Sequence, residues 1–272
     1  GFGQARGGGG MDWNAMAGPW LRAEAQTDAA HAPVLDELLR RAALSPGQHV
    51  LDIGPGAGIS LVRAAEAVGP TGHVTGVEIA PPFAARARVR SPGNVTVIEA
   101  DAQEVRFDSP LFDAALSLFG VMFFRDSPAA FANLRAAMEP GARMHLACWG
   151  AREANPYFAA PAAAAAGVLG PAPGADPKAP GPLRFADARD LKTVLADAGW
   201  RAEIDTVDLD LTPMGGLEGM TQMQMTIGAA AGRMRMEKEA GRLTPEVRAA
   251  VQDALRDTLG AYEVAGEMRV PA

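Results

Sequence analysis

One junction limits what this chain can fold into more than any other stretch. Residues 49–53 (HVLDI) are a short apolar run, and residues 54–58 (GPGAG) are a glycine turn. Residues 59–68 then place apolar side chains at helical spacing until Gly69 stops them. The junction is a strand, a tight turn and a helix, and the cycle returns along the chain. Residues 73–78 read as strand, 81–90 as helix, and 95–99 and 112–117 as strands. A further helix is expected with Ser127 at its N-cap, Pro128 at its first position, a Phe131, Leu134, Met138 stripe and a stop at Pro140-Gly141. Residues 142–148 complete a fifth strand. Strands separated by helices of roughly ten residues need crossover connections, hence a mostly parallel sheet covered by helices on both faces. Sheets of this Rossmann-like α/β class bind ligands at the carboxyl ends of their strands.

The remaining segments are expected to decorate that core. Residues 1–10 (GFGQARGGGG) read as a flexible leader without the cationic and apolar regions of a signal peptide, and 11–44 as an N-terminal helical cover with a helix over 33–43. The core spans 45–150. Residues 151–183 are rich in Ala, Pro and Gly and suit a loosely helical insertion over the strand ends rather than core. Residues 184–214 supply a last core helix (187–198) and an alternating, half-buried strand (204–211). A Met-rich helical cap of two stretches follows over 215–262, and 263–272 is a short strand or tail.

Composition removes several function classes. With 25 basic and 32 acidic residues the net charge is −7, and no Lys/Arg block exists to track a phosphate backbone, so a nucleic-acid partner is not expected. The single cysteine, Cys148, excludes an internal disulfide or multi-cysteine metal site and fits a reducing, cytoplasmic setting. The four histidines, at 31, 49, 73 and 145, have no metal-ligand spacing, so no metal is expected. The most apolar run, 158–170, is about 13 residues and contains Pro161, too short for a membrane span of about 20.

Three features at successive strand ends carry the chemistry. Alternate glycines at 54, 56 and 58 let backbone N–H groups approach a ligand where a helix N-terminus favours negative charge. A dinucleotide fingerprint needs Gly or Ala where this chain has Ile59, which weighs against a nicotinamide-dependent oxidoreductase without removing it. Glu78 ends the second strand, where a carboxylate can accept from both hydroxyls of a ribose. Asp101, after the third strand, can accept from an exocyclic amine.

In these residues the sequence resembles the class I S-adenosylmethionine-dependent methyltransferases, over roughly 49–149 and in the pattern VLDIGPGAG, VEIA, EADA and FDAALS. The stretch FGVMFFRDSPAAFANLRAAMEPGARMHLACW, followed by NPYF, is similar to bacterial small-molecule methyltransferases of the ubiquinone/menaquinone-biosynthesis type. The resemblance implies S-adenosylmethionine as cofactor. It implies that Asp52, Gly54 and Gly56 meet the methionine and ribose portions and Glu78 the ribose diol. It further implies that Ile79 packs on the adenine while Asp101 and the Ala102 N–H read its edge. Ser117, Phe119 and Met122 fall where such enzymes place one wall of the transfer site. The Asn-Pro-Pro-Tyr or Asp-Pro-Pro-Tyr motif of amino-methylating relatives is replaced by Ser117-Leu118-Phe119-Gly120, which disfavours nucleic-acid base and protein-glutamine acceptors. The resemblance implies a sheet ending in an antiparallel hairpin, whereas with Val270-Pro271-Ala272 the last strand is expected to be short, absent or truncated.

The reading is therefore methyl transfer to a small, partly apolar acceptor, with a non-catalytic binding protein of the same fold as the alternative and a homo-oligomer left open. Candidate bases are His31, expected before the 33–43 helix, and His145, inside the fifth strand, each also readable as structural. Phe119, Met122, Phe123 and Trp149 serve equally as core or as pocket wall. So do Met220 and Met223, from a run holding six of the 12 methionines. Trp13 and Trp20, beside Gly and Pro, need a surface to cover, and the donor site is the one the resemblance favours.

Overall fold

The computed structural model describes residues 11–108 and 110–272, so the expected leader lies outside the described residues. Two helices, α1 (Trp13–Arg22) and α2 (Glu24–Ala42), precede β1 (His49–Ile53). The alternating core follows as α3 (Ile59–Val68), β2 (His73–Glu78), α4 (Pro81–Arg90), β3 (Val95–Glu99), β4 (Phe112–Leu118), α5 (Ser127–Ala136) and β5 (Met138–Ala147). Then come α6 (Pro156–Leu169), α7 (Ala188–Asp197), β6 (Asp210–Leu211), α8 (Gly216–Thr226), α9 (Ala229–Glu239) and α10 (Pro245–Leu259). Three two-residue strands close the chain: β7 (Glu263–Val264), β8 (Glu267–Met268) and β9 (Val270–Pro271).

The main sheet has the order β3-β2-β1-β4-β5, with every pairing parallel, as the alternation requires. The order reverses beside β1, and such a reversal opens a crevice at the strand ends. Neighbouring residues point to opposite faces of a strand. Val50 accordingly joins Leu61, Ala64 and Val68 of α3 on one face, while Leu51 and Ile53 join Phe131 and Leu134 of α5 on the other.

Five local expectations change. The N-cap of α5 is Asp126, whose carboxylate accepts from the Ala129 N–H at 3.0 Å, and Ser127 is the first helical residue. Pro140 and Gly141 lie inside β5 instead of ahead of it. β5 is an edge strand, where proline's missing donor is tolerated, and its register jumps from Phe112↔Met138 to Ala114↔Arg143 to accommodate the turn. The helix expected over 33–43 runs from Glu24 through Pro33, its first half tied to α4 by Glu24–Arg86 and Asp28–Arg90 ion pairs. Within the Ala-rich 151–183 segment the helix is core, while 171–178 are exposed: α6 buries Tyr157, Ala160, Ala164 and Ala165, and its small alanines let α10 lie close against it. Of the expected 204–211 strand only the end pairs, Asp210–Leu211 antiparallel with Val270–Pro271 and Leu209 exchanging backbone hydrogen bonds with Ala272, because Asp205 to Asp208 are exposed and meet no sheet edge.

The cap over 215–262 is three helices. Gly228, at φ +95°, separates α8 from α9, and Thr244 caps α10 by accepting from the Val247 N–H at 3.2 Å. Among the described residues no helix is long and apolar enough to cross a membrane.

Candidate active site

The glycine turn after β1 is built from two packed glycines and one open one. A Cβ on Gly54 (φ +63°) would sit 3.0 Å from the Gly120 Cα, and one on Gly58 (φ +103°) 3.0 Å from Ala87. Gly56 (φ +58°) has nothing within 4 Å of that position, so its backbone floors an open space at the N-terminus of α3. Glu78 reaches this floor from the end of β2. Its Oε1 accepts from the Gly56 N–H at 2.8 Å and its Oε2 from the Ala80 N–H at 2.9 Å. Burial raises its pKa, and the Ala80, Gly56 and Ile79 N–H groups oppose the rise.

Past β3, Asp101 accepts from the Gln103 N–H at 2.9 Å and lies 3.6 Å from Arg125, which also pairs with Glu104. Ile79 is 54% exposed and lends the polar rim an apolar surface. All of these groups line one cavity of about 1280 Å³. Pockets for a single small ligand commonly measure about 300 to 1,000 Å³, so this one has room for two molecules.

A different chemistry walls the same cavity from α2, the turns after β4 and β5, and α6. Phe119, held at φ +60°, stacks on Trp149 with centroids 4.0 Å apart and planes 7° apart, and Trp149 stacks on Tyr157 at 5.5 Å. His31 meets all three rings edge-on, at 5.2 Å, 5.6 Å and 6.0 Å. Its Nε2 faces the Tyr157 hydroxyl at 3.4 Å. Burial pushes the imidazole down to about 4, so His31 is neutral near pH 7, and it pushes the Tyr157 phenol up, so that group keeps its proton. Over the cavity α1 lays Trp13 against Phe123 at 4.9 Å, Trp20 at 5.6 Å and Phe83 at 6.1 Å.

The fold thus gathers Gly54, Gly56, Glu78, Ile79, Asp101 and Ala102 on one cavity wall. Trp13, Trp20, Phe119, Met122, Phe123 and Trp149 line the same cavity. Asp52 and Ser117 stand behind it, fully buried. The Ser60 hydroxyl donates to Asp52 Oδ2 at 2.6 Å, the other carboxylate oxygen has no partner among the described residues, and burial pushes the group up to about 7. Ser117 donates to the Ile53 carbonyl at 2.6 Å and accepts from the Gly120 N–H at 3.1 Å, fixing the turn that carries Phe119.

His145 is a correction. It pairs in register with Leu116 inside β5, its pKa lowered by burial and then by Arg143 and Arg41, and it is not among the cavity-lining residues. Met220 and Met223 are also off the wall, wholly buried in the main core, because α8 turns Gln224 toward the cavity instead. His31 lies within α2, not in an exposed lead-in. Tyr157 and Gln224 were missed. A tyrosine in an Ala-rich segment and a glutamine within a Met stripe announce no shared cavity until the helices are packed.

Residues 50–141 match the methyltransferase-domain family model. The matched segment runs from Val50 of β1 through β4 and includes the glycine turn, Glu78 and Asp101. This stretch of the core thus matches a methyltransferase domain. The methyltransferase domain is similar to nocamycin O-methyltransferase of Saccharothrix syringae, at 36% identity over 42% of this chain and 42% of that protein. It is also similar to a ubiquinone/menaquinone-biosynthesis C-methyltransferase of Psychromonas ingrahamii, at 32% identity over 36% of this chain and 41% of that protein. The match thus spans less than half the length of either relative. In fold, the chain resembles a crystal structure of a SAM-dependent methyltransferase from Aquifex aeolicus, with TM-score 0.52 and 18% identity over 71% of this chain and 92% of that one. The methyltransferase match replaces the oxidoreductase alternative that Ile59 had weakened.

Proposed function

We propose that the chain catalyses transfer of a methyl group from S-adenosylmethionine to a small, partly apolar molecule held in the same cavity. The observation that carries the reading is the open backbone at Gly56 with the Glu78 carboxylate aimed beside it. The residues present fit the donor. The two oxygens of Glu78 suit the two hydroxyls of a ribose, the exposed Ile79 side chain suits a purine face, and Asp101 with the Ala102 N–H suits a purine edge. When bound, S-adenosylmethionine supplies an electrophilic methyl group on a sulfonium, which in-line displacement moves with its C–S bonding pair left on sulfur.

The chain's own contribution is placement and exclusion of water. Acceptor and donor groups held about 3 to 3.5 Å apart and aligned gain most of the rate that positioning can give. The α1 tryptophans over the cavity supply a cover that must open for exchange and close for transfer. The relatives are named for O- and C-methylation, and an acceptor that is planar and apolar suits the aromatic wall. Displacement at a sulfonium needs no Lewis acid, so we expect activity to survive exhaustive chelation. The lone Cys148, whose thiol burial pushes up to about 12, suits a reducing cytosol.

Thermal shift with S-adenosylhomocysteine and with NAD(P), followed by a screen with labelled methyl donor, tests the proposal. Stabilisation by the first ligand alone and label in a small-molecule product support it. Binding without turnover of any acceptor would leave a binding protein, and stabilisation by NAD(P) alone would overturn the assignment of the site.

A further inference from the structure

The aromatic wall carries an imidazole facing a phenol, and the pair's hydrogen-bonding capacity is specific. His31 Nε2 and the Tyr157 hydroxyl stand 3.4 Å apart, long for a direct bond, and neither has another side-chain partner among the described residues. Around them the surface is aromatic: Phe119, Trp149 and Phe158 ring the site. Trp149 covers one face of Phe119, and the rest of that half-buried ring contributes to the cavity.

We propose that this wall binds a planar aromatic molecule bearing a hydroxyl group, its ring laid on Phe119 and its hydroxyl set between His31 and Tyr157. The inference rests on the methyltransferase reading, in which that hydroxyl is the methyl acceptor. A hydroxyl has one proton to give and lone pairs to receive. With its proton on Nδ1, neutral His31 offers Nε2 as an acceptor, and Tyr157 offers its O–H as a donor, so the pair matches a hydroxyl from both sides. A carboxylate placed there would find no opposite charge on those rings and would lose its hydration. A flat ring gains from stacking on Phe119 what a puckered aliphatic ring cannot.

Gln224 adds an independent sign. It is 4% exposed, lines the cavity, and its Oε1 has no hydrogen-bond partner among the described residues. A buried carbonyl without a donor is costly. It suits a second hydroxyl on the ligand, so the favoured class is an aromatic bearing more than one hydroxyl group.

Calorimetric titration of the full chain tests this with 1-naphthol, 1-methoxynaphthalene and cyclohexanol, each with S-adenosylhomocysteine titrated separately into the same samples. The unmodified chain should bind 1-naphthol about fivefold more tightly than its methyl ether, the value of one neutral hydrogen bond. Cyclohexanol should bind more weakly than either. His31→Phe keeps an aromatic edge and should erase the preference for the naphthol over the ether. Phe119→Ala should weaken both aromatic probes. Equal binding of naphthol and ether by the unmodified chain, or a preference that persists in His31→Phe, would overturn the proposal. Failure of S-adenosylhomocysteine to bind a chain that still distinguishes naphthol from ether would uphold the slot and sink the methyltransferase reading instead.

Discussion

The Gly56 N–H donates to Glu78 Oε1 across 2.8 Å, so the acid at the end of β2 holds the turn at the end of β1. One carboxylate therefore serves twice: it fixes the glycine floor, and in the proposed function it meets the ribose. Two effects follow from replacing it. Glu78→Ala should weaken S-adenosylhomocysteine binding by about 1.5 to 3 kcal/mol, the range of a hydrogen bond to a charged group, and should also lower the melting temperature. Calorimetry on the folded variant reads the first effect and thermal unfolding the second. Unchanged affinity would remove Glu78 from the site.

The glycines of the turn should separate stability from binding. Gly54→Ala places a Cβ 3.0 Å from Gly120 in left-handed backbone, whereas Gly56→Ala enters open space and carries only the left-handed cost of about 1 to 2 kcal/mol. Both should lose ligand affinity, and Gly54→Ala should be the less stable. The reverse order of melting temperatures would mean that the packing at Gly120 does not limit the turn.

Asp52 should leave a pH signature. Its folded pKa, about 7, lies above the ordinary 3.8 because burial disfavours the charge. The folded state thus holds a proton that the unfolded chain has released. The contribution is fully present below about pH 4, falls as pH rises toward 7, and is lost above it. Asp52→Asn should therefore flatten the decline in unfolding free energy between pH 4 and 7 by an amount on the order of a few kcal/mol. Urea titrations of both chains across that window measure it. Parallel curves would place the carboxylate's proton elsewhere.

Trp13 contacts Phe83 of α4 and Phe123 of the turn after β4, bridging both sides of the cavity mouth from α1. Trp13→Ala should leave the sheet intact, speed release of S-adenosylhomocysteine and expose α1 to protease, while bound ligand should protect α1 in the unmodified chain. Stopped-flow dissociation and limited proteolysis follow these outcomes. An unaltered release rate would reduce Trp13 to an anchor for the N-terminal helix.

Much of the core could be read from the chain because its signals are local. The apolar run before GPGAG, the helical spacing of residues 59–68 and an acid at the end of the next strand repeat within short windows. A parallel sheet then forces Gly56, Glu78 and Asp101 to the same edge. What only the tertiary structure decided depends on contacts between distant segments. Asp52 and Ser117 share the motif strands but are buried behind the site on opposite faces of the sheet, Asp52 bonded to Ser60 of α3 and Ser117 to the Ile53 carbonyl. Alanine-rich α6 read as loose covering because alanine has little apolar surface, yet that same smallness lets α10 pack against it as core. His31 and Tyr157 lie 126 residues apart, and no spacing rule joins them until α2 and α6 meet beside Phe119 and Trp149. Their chemistry comes from burial, and burial belongs to the packed chain.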